Sequence, residues 1–399
     1  MSRFVINAIP FETRITHDAR QILARDQARA QKLLTCLHAH GPIAFHSKKA
    51  AQDSPNSAAA RYSVDVTDAG IAYTVPVNVG QPPTTFSLLL DIGSSNIWVG
   101  ADKEYQPTDT SVNSHKTFNI SYGSGVVTGT EYIDQVTLGG NLVVKEQIIG
   151  VASSARGFSG VDGILGIGPV DLTTDSASRP TVNPVTQNLF ESGAVPTAAV
   201  GMSYSPNSTA VANGDITFGA TDTAKFTGSI DYVPITKITP ADQYWGVDQD
   251  LTYGNDIQLL KSSAGIVDTG TTLLLIASDA FKSYCRATGA EEDNATGLLT
   301  VTETQFANME SLFFQIGSAS AETYELIPNA QIWPRKLNNT IGGEEDKIYL
   351  VIADLGVPSG AGLDFINGFA FLQRFYTVFD TTNSRIGLAK TKFTIAEIN

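Results

Sequence analysis

Short apolar or alternating runs bounded by Gly, Pro, Asn and Asp dominate the chain from about residue 61 onward. Alternation of apolar and polar residues is typical of β-strands, because successive strand side chains point to opposite faces of a sheet. Examples are IAYTVPVNVG, TFSLLL, TFNISYGSG, VVTGTEYIDQVTLGG and SIDYVPI. Helical patterns are few, and SDAFKSYCRATG and TETQFANMESLFF are the clearest. We therefore predict a mostly antiparallel all-β protein, whose length requires more than one sheet.

The first 60 residues follow a different pattern. Residues 3–15 predict one strand, and residues 16–42 combine strong helix formers with apolar residues at helical spacing before a Gly-Pro stop. A polar linker with the dibasic pair Lys48 and Lys49 follows. We predict that residues 1–60 are a pro-segment of strand, helix and linker, and an independent N-terminal domain is the alternative. No signal-peptide pattern precedes this segment.

The remaining chain contains two similar stretches, LLLDIGSSNIWV (88–99) and GIVDTGTTLLLI (265–276). Each reads apolar run, Asp, one residue, Gly, two hydroxyl residues, apolar run. The aspartates, Asp91 and Asp268, lie 177 residues apart, which suits one domain and is too long for a solenoid repeat. Each stretch is followed later by an apolar run containing glycine, GILGIG in the first half and DFINGFAF in the second. We predict two related lobes, an N-terminal lobe over 61–235 and a C-terminal lobe over 236–399.

Charge is distributed unevenly between these parts. The chain has 26 basic and 40 acidic residues, a net charge of −14, whereas residues 1–60 alone carry +4 and residues 61–399 carry −18. Electrostatic attraction therefore contributes to holding the basic pro-segment (residues 1–60) on the acidic remainder of the chain (residues 61–399). This attraction weakens as carboxylates protonate. The acidic body would repel nucleic-acid phosphates. No run approaches the ~18 apolar residues that span a bilayer.

Histidine and cysteine are too scarce for several kinds of site. Only His115 of the five histidines lies beyond residue 46, and no GxSxG motif accompanies it, which argues against a Ser-His-Asp hydrolase and a histidine metal site. The two cysteines, Cys36 and Cys285, form no CxxC pair, which argues against zinc ribbons and thiol redox chemistry. Acid–base catalysis in the body would therefore depend on carboxylates.

Asp91 and Asp268 differ from ordinary turn residues in their context. An Asp-x-Gly triplet alone is common in turns, and two structural turns are the alternative interpretation. However, each aspartate ends an apolar run and is followed by hydroxyl residues that can donate hydrogen bonds to a carboxylate. A lone buried carboxylate is costly, whereas two placed together can share one proton, so that one acts as a base and the other as an acid.

The triplets DIG and DTG, with SYGSG between them, resemble the catalytic triplets and the flap of the pepsin-like aspartic proteases. The resemblance covers essentially the whole chain, including the pro-segment. It implies a bilobal all-β fold with a cleft and an aspartic-type endopeptidase that is made as a zymogen. It also implies no metal or organic cofactor, an extended protein or peptide substrate, a monomer, and a secreted or vacuolar location.

The resemblance also implies roles for individual residues. Asp91 and Asp268 would share a water, Ser94 and Thr271 would donate to their outer oxygens, and Trp98 would donate to the Tyr122 hydroxyl. A pro-segment lysine, Lys48 or Lys49, would reach the pair in the inactive form. The residues implied in substrate binding and the flap are Gly93, Tyr122, Gly123, Ser124, Gly270, Thr271 and Thr272, and the supporting residues are Ser94, Trp98 and Thr269.

Two residues depart from the family pattern. Ile92 stands where most members have Thr or Ser, so the side-chain hydrogen bond that the two triplet threonines make across the lobes would lose one partner. An unpaired buried polar group costs about 1–3 kcal/mol. Asn367 stands where many members carry an apolar residue. Ile92 therefore leaves a second interpretation open, a catalytically impaired relative that binds peptides.

Overall fold

A computed structural model describes residues 8–15, 19–35, 71–122, 125–139, 142–168, 182–206, 213–317 and 322–399. The strands of the first half are β1 (Ala8–Ile15), β2 (Ile71–Val79), β3 (Thr84–Asp91), β4 (Ile97–Val99), β5 (Val112–Ser121), β6 (Val126–Leu138), β7 (Leu142–Arg156), β8 (Gly163–Gly166), β9 (Ala199–Ser205), β10 (Asn213–Phe218) and β11 (Thr227–Pro234). Those of the second half are β12 (Gly246–Tyr253), β13 (Ile257–Val267), β14 (Leu274–Ile276), β15 (Glu291–Glu292), β16 (Leu299–Val301), β17 (Leu312–Ile316), β18 (Thr323–Leu326), β19 (Ile348–Tyr349), β20 (Ile352–Asp354), β21 (Phe365–Asn367), β22 (Phe375–Asp380) and β23 (Arg385–Lys390).

The α-helices among the described residues are short apart from the first. They are α1 (Ala19–Leu34), α2 (Val185–Glu191), α3 (Ser278–Thr288), α4 (Glu303–Ala307) and α5 (Phe369–Leu372). Short 3-10 helices span Ala241–Gln243, Pro328–Gln331 and Arg335–Ile341. Helix α1 lies within the predicted pro-segment helix, and α3 within the predicted helical run SDAFKSYCRATG. Among the described residues, no helix is long and apolar enough to cross a membrane.

The strands of the described residues form three sheets, and the predicted all-β, two-lobed fold is confirmed. A thirteen-stranded sheet has the order β11-β23-β22-β9-β10-β1-β2-β3-β8-β4-β7-β6-β5, and a seven-stranded sheet has the order β18-β17-β12-β13-β21-β14-β20. A small sheet joins β15, β16 and β19. Strand β1 lies between β10 and β2, so the strand of the predicted pro-segment is part of the large sheet. The lobe boundaries at residues 60 and 235 stay a prediction.

The two halves repeat one local arrangement around their Asp-x-Gly triplets. In the first half, β3 is parallel to β8, which is antiparallel to β4. In the second half, β13 is parallel to β21, which is antiparallel to β14. The apolar, glycine-containing runs of the sequence thus supply the strand beside each aspartate. Asp91 pairs with Gly166, and the backbone N–H of Asp268 donates to the Asn367 carbonyl at 3.2 Å.

Helix α4 is shorter than the sequence pattern predicts. It begins with a capping box in which Thr302 and Gln305 satisfy each other's backbone N–H groups, and it ends at Ala307. The last three residues of the predicted helical run, LFF, form β17 together with the two residues after them, and this strand lies between β12 and β18. The LFFQI segment alternates buried and half-buried positions, as expected of a strand that covers one face of the core.

Asn367, which departs from the family pattern, makes a buried amide pair. Its Nδ2 donates to Oε1 of Gln249 on β12 at 2.8 Å, and both side chains are almost wholly inaccessible. Asn367 Oδ1 and Gln249 Nε2 are buried without a hydrogen-bond partner within the described ranges. The pair is therefore only partly satisfied, and each amide depends on the other.

We expect Asn367→Leu and Gln249→Leu to destabilise the protein by about 1–3 kcal/mol each, because each leaves the other amide unpaired in the core. The double variant should lose less than the sum of the single variants, by about 1 kcal/mol. Urea denaturation of the four proteins measures this coupling. Strictly additive losses would mean that the two amides do not support each other.

Candidate active site

The two triplets bring Asp91 and Asp268 close together, and both carboxylates are buried. Ser94 Oγ donates to Asp91 Oδ2 at 2.6 Å, and Thr271 Oγ1 donates to Asp268 Oδ2 at 2.7 Å. The backbone N–H of Gly93 donates to Asp91 Oδ1 at 3.0 Å, and that of Gly270 donates to Asp268 Oδ1 at 3.2 Å. Each half therefore holds its carboxylate by the same two hydrogen bonds.

The glycines of the triplets leave room for the guanidinium of Arg29, a residue of α1, beside the carboxylates. A Cβ atom on Gly93 would collide with that guanidinium and would lie 3.1 Å from Asp268 Oδ1 and 3.3 Å from Asp91 Oδ1. A Cβ on Gly270 would collide with the guanidinium of Arg29. Both positions thus need glycine for a close approach rather than for an unusual backbone conformation.

Ile92 and Thr269 meet across the two triplets. The backbone N–H of Ile92 donates to Thr269 Oγ1 at 3.3 Å, and the Ile92 side chain is fully buried in the apolar core. Ile92 supplies no hydroxyl, but its backbone supplies a donor to the hydroxyl of Thr269. One hydrogen bond therefore connects the two loops despite the substitution.

Arg29 of α1 bridges the two aspartates. Its Nε lies 2.6 Å from Asp268 Oδ2, and its Nη2 lies 2.9 Å from Asp268 Oδ1 and 3.1 Å from Asp91 Oδ1. A single nitrogen thus contacts one oxygen of each carboxylate. The resemblance pointed to Lys48 or Lys49 for this contact, and both lie outside the described residues. Among the described residues, Arg29 is the cation that contacts both aspartates, and the sequence analysis did not single it out.

This contact changes the acidity of both partners. Burial alone would raise the pKa of Asp268, but the charge of Arg29 and the hydrogen bonds from Arg29, Thr271 and Gly270 outweigh it and lower the pKa. Burial would lower the pKa of Arg29, but the charges of Asp268 and Asp91 raise it. The guanidinium therefore stabilises the ionised form of Asp268.

Helix α1 makes further contacts on both sides of the pair. Toward the second half, Arg25 Nη2 donates to the Gly270 carbonyl at 3.0 Å, and the backbone N–H of Thr272 donates to Asp26 Oδ2 at 2.9 Å. Toward the first half, the Lys32 ammonium donates to the backbone carbonyl of Ser121. Arg25, Asp26, Arg29 and Lys32 share one face of the helix, and this i, i+1, i+4, i+7 spacing is the signal that could have predicted their joint contact. Helix α1 therefore fills the cleft above the aspartates.

The β5–β6 hairpin places Tyr122 near the pair. The indole N–H of Trp98 donates to the Tyr122 hydroxyl at 3.0 Å, and Phe158 packs edge-on against both rings. Burial raises the pKa of Tyr122, so its hydroxyl stays protonated. Gly123 and Ser124, the other predicted flap residues, lie outside the described residues. Within the described part of the chain, no group of three His, Cys, Asp or Glu residues could hold a metal ion.

Comparison with known proteins identifies one family. The profile of the family described as "Eukaryotic aspartyl protease" matches residues 72–391. Polyporopepsin of Irpex lacteus is 55% identical over 341 residues, which cover 84% of this chain and 99% of the relative. Gastricsin of Homo sapiens is 30% identical over 337 residues, which cover 80% of this chain and 81% of the relative. The crystal structure of an aspartic proteinase from Irpex lacteus matches with a TM-score of 0.79 at 55% identity, and the match covers 82% of this chain and 96% of that one.

Proposed function

Since the chain belongs to the eukaryotic aspartyl protease family and is an aspartic-type endopeptidase, we propose that Asp91 and Asp268 are its catalytic pair. The observation that carries the proposal is that Arg29 Nη2 lies within 3.1 Å of one oxygen from each carboxylate. We infer that this nitrogen occupies the point at which a water would bind once α1 leaves. Such a water would contact an ionised carboxylate and a protonated one at the same time.

The proposed reaction is general acid–base hydrolysis. The ionised carboxylate removes a proton from the water, whose oxygen forms a bond to the peptide carbonyl carbon, while the protonated carboxyl donates its proton to the carbonyl oxygen. The pair then passes its proton to the leaving nitrogen, one hydroxyl of the tetrahedral diol returns a proton to the pair as the C=O bond re-forms, the C–N bond breaks, and the pair is left sharing one proton. Ser94 and Thr271 would hold the outer oxygens during both steps. No metal or organic cofactor takes part.

We propose that the cleft binds an extended peptide once α1 has left. The Gly93 and Gly270 loops border the pair, and the backbone N–H groups of Thr272 and Leu273, which now contact Asp26, would be free to bind substrate. Tyr122 and the neighbouring Gly123 and Ser124 would close over the substrate and exclude water. The protein would act as a monomer outside the cytoplasm, in the secreted or vacuolar space.

We propose that residues 1–60 are the pro-segment of a zymogen and that Arg29 blocks the pair in it. Helix α1 precedes residue 72, where the family match begins, and it contacts both halves of the cleft. With the guanidinium in place, neither a water nor a substrate carbonyl can reach the inner carboxylate oxygens. Acid would favour release, because protonation of the aspartates removes the partner charge of Arg29.

The second candidate, a peptide-binding protein without activity, is favoured by Ile92 alone. Active-site titration separates the two. After acid incubation, a peptide inhibitor with a tetrahedral hydroxyl in place of the cleaved bond should abolish hydrolysis at one molecule per chain. Binding of that inhibitor by a folded protein that has lost its pro-segment but cleaves no peptide would favour the second candidate.

A further inference from the structure

Asp26, on the middle of α1, is a buried carboxyl group that the proposed reaction does not use. It has no solvent exposure, and its Oδ2 accepts hydrogen bonds from the backbone N–H groups of Thr272 at 2.9 Å and Leu273 at 2.8 Å. Its Oδ1 is buried without a hydrogen-bond partner among the described residues. An ionised carboxylate with one bare oxygen in such a place is costly, whereas a protonated carboxyl loses far less on burial.

Not all of the charged and titratable groups around Asp26 compensate the negative charge of its ionised carboxylate. Arg25, its neighbour on α1, is the cation whose charge acts on Asp26, and Arg25 Nη2 donates to the Gly270 carbonyl. From the other elements packed against the helix, Asp268 and the phenol of Tyr73 face Asp26. Burial raises the pKa of Asp26 to about 7, although Arg25 and the two backbone N–H groups oppose the rise, and Asp268 adds to it.

We propose that Asp26 is a proton-dependent latch: docking of α1 in the cleft takes up one proton on Asp26, so that mild acid tightens the docked pro-segment and neutral pH loosens it. The inference rests on the proposed function of residues 1–60 as a pro-segment. It concerns a contact distinct from the Arg29 bridge, on the loop that follows Asp268.

The two contacts respond to pH in opposite directions. When α1 is released, Asp26 returns to an ordinary pKa near 3.9. Its contribution to docking is therefore complete below that pKa and is lost as the pH rises toward 7, by at most about tenfold in the docking equilibrium per pH unit. Asp268 has a lowered pKa in the docked state. Its contribution to docking is therefore fully present above its ordinary pKa, and it is lost as the pH falls from there through the lowered pKa. Docking is therefore strongest in mild acid, and the zymogen needs stronger acid to open than the Arg29 bridge alone would require.

Hydrogen–deuterium exchange on the full-length protein tests this latch. Protection of the α1 amides, corrected for intrinsic exchange rates, should fall severalfold per unit between pH 4.5 and pH 7 in the wild type. Burial and the charge of Arg29 lower the pKa of Lys32 to about 7. Lys32 therefore stays protonated below pH 7 and adds no pH dependence to the docking there, so pH 7 is the upper end of the measured range. Asp26→Asn, a neutral side chain that still accepts from the two N–H groups, should abolish this decline in protection toward pH 7.

Two further variants complete the test. Asp256→Asn, at an exposed turn, should behave as the wild type, and Asp26→Ala, which removes the acceptor, should lower protection at every pH. A wild-type protection that stays constant or rises from pH 4.5 to pH 7 would overturn the latch, whether or not the variants fold. A pH-dependent decline in Asp26→Asn equal to that of the wild type would also overturn it. The readout does not depend on peptide cleavage, so an inactive protein with the expected profile would refute the proposed function and leave the latch standing.

Discussion

Replacement of Asp268 by Asn should lower kcat for peptide hydrolysis at pH 4 by about 1,000-fold or more. General acid–base catalysis by one positioned group contributes about 100- to 10,000-fold, and the amide can neither accept nor pass on the proton. The amide also has nearly the same volume as the carboxyl group, so KM should stay within about threefold of the wild type. Steady-state kinetics on the acid-released enzyme measure both parameters.

Asp91→Asn should give a similar loss, since the two carboxylates act as one unit and neither replaces the other. Asp346→Asn, at an exposed position, serves as the matched control and should keep wild-type kinetics. A folded Asp268→Asn variant with more than about a tenth of the wild-type kcat would exclude the pair as the source of catalysis.

Replacement of Arg29 by Ala should activate the unprocessed chain. Loss of one partner of a buried ion pair costs about 3–5 kcal/mol, which corresponds to about 100-fold or more in the docking equilibrium of α1. Without the guanidinium, the two carboxylates can share a proton and bind water. The full-length variant should therefore cleave peptides at pH 5 without prior acid incubation, at least about 100-fold faster than the full-length wild type.

Arg20→Ala is the matched control on the same helix. Arg20 is exposed, and its Nε donates to the Ala295 carbonyl at 2.8 Å. Arg20 makes no hydrogen bond to either aspartate. A surface contact of this kind is worth less than about 1 kcal/mol, so the variant should gain less than about fivefold. If the intact Arg29→Ala chain is as silent as the wild type at pH 5, Arg29 is not the residue that keeps the zymogen latent.

The all-β fold could be predicted because its signals are local. Strands such as β3 carry their pattern of apolar residues within themselves, and the two Asp-x-Gly triplets repeat in the two halves. Residues 312–314 show where local patterns fail. The run TETQFANMESLFF, which ends with them, is compatible with a helix, but pairing with β12 and β18 on either side makes LFFQI a strand. Tertiary pairing overrides a weak local preference.

The site could be predicted only in part, for a similar reason. The triplets and their hydroxyl residues follow from the sequence, because each carboxylate and its donors lie within three residues of one another. Arg29 is 62 residues from Asp91 and 239 from Asp268. No local sequence pattern indicates which basic residue of the pro-segment reaches the two aspartates. The backbone N–H of Ile92 was also missed as a donor to Thr269, since a side-chain comparison takes no account of backbone groups.

Cleavage of a denatured protein substrate at pH 3–5 by the acid-incubated wild-type chain is the measurement that decides whether Asp91 and Asp268 hydrolyse peptides. We expect internal cleavage, seen by mass spectrometry as new termini within the substrate sequence, and no such products with Asp268→Asn. The contradicting result is a folded wild-type protein that has released its pro-segment and yields no new termini, with Ile92→Thr failing to restore them.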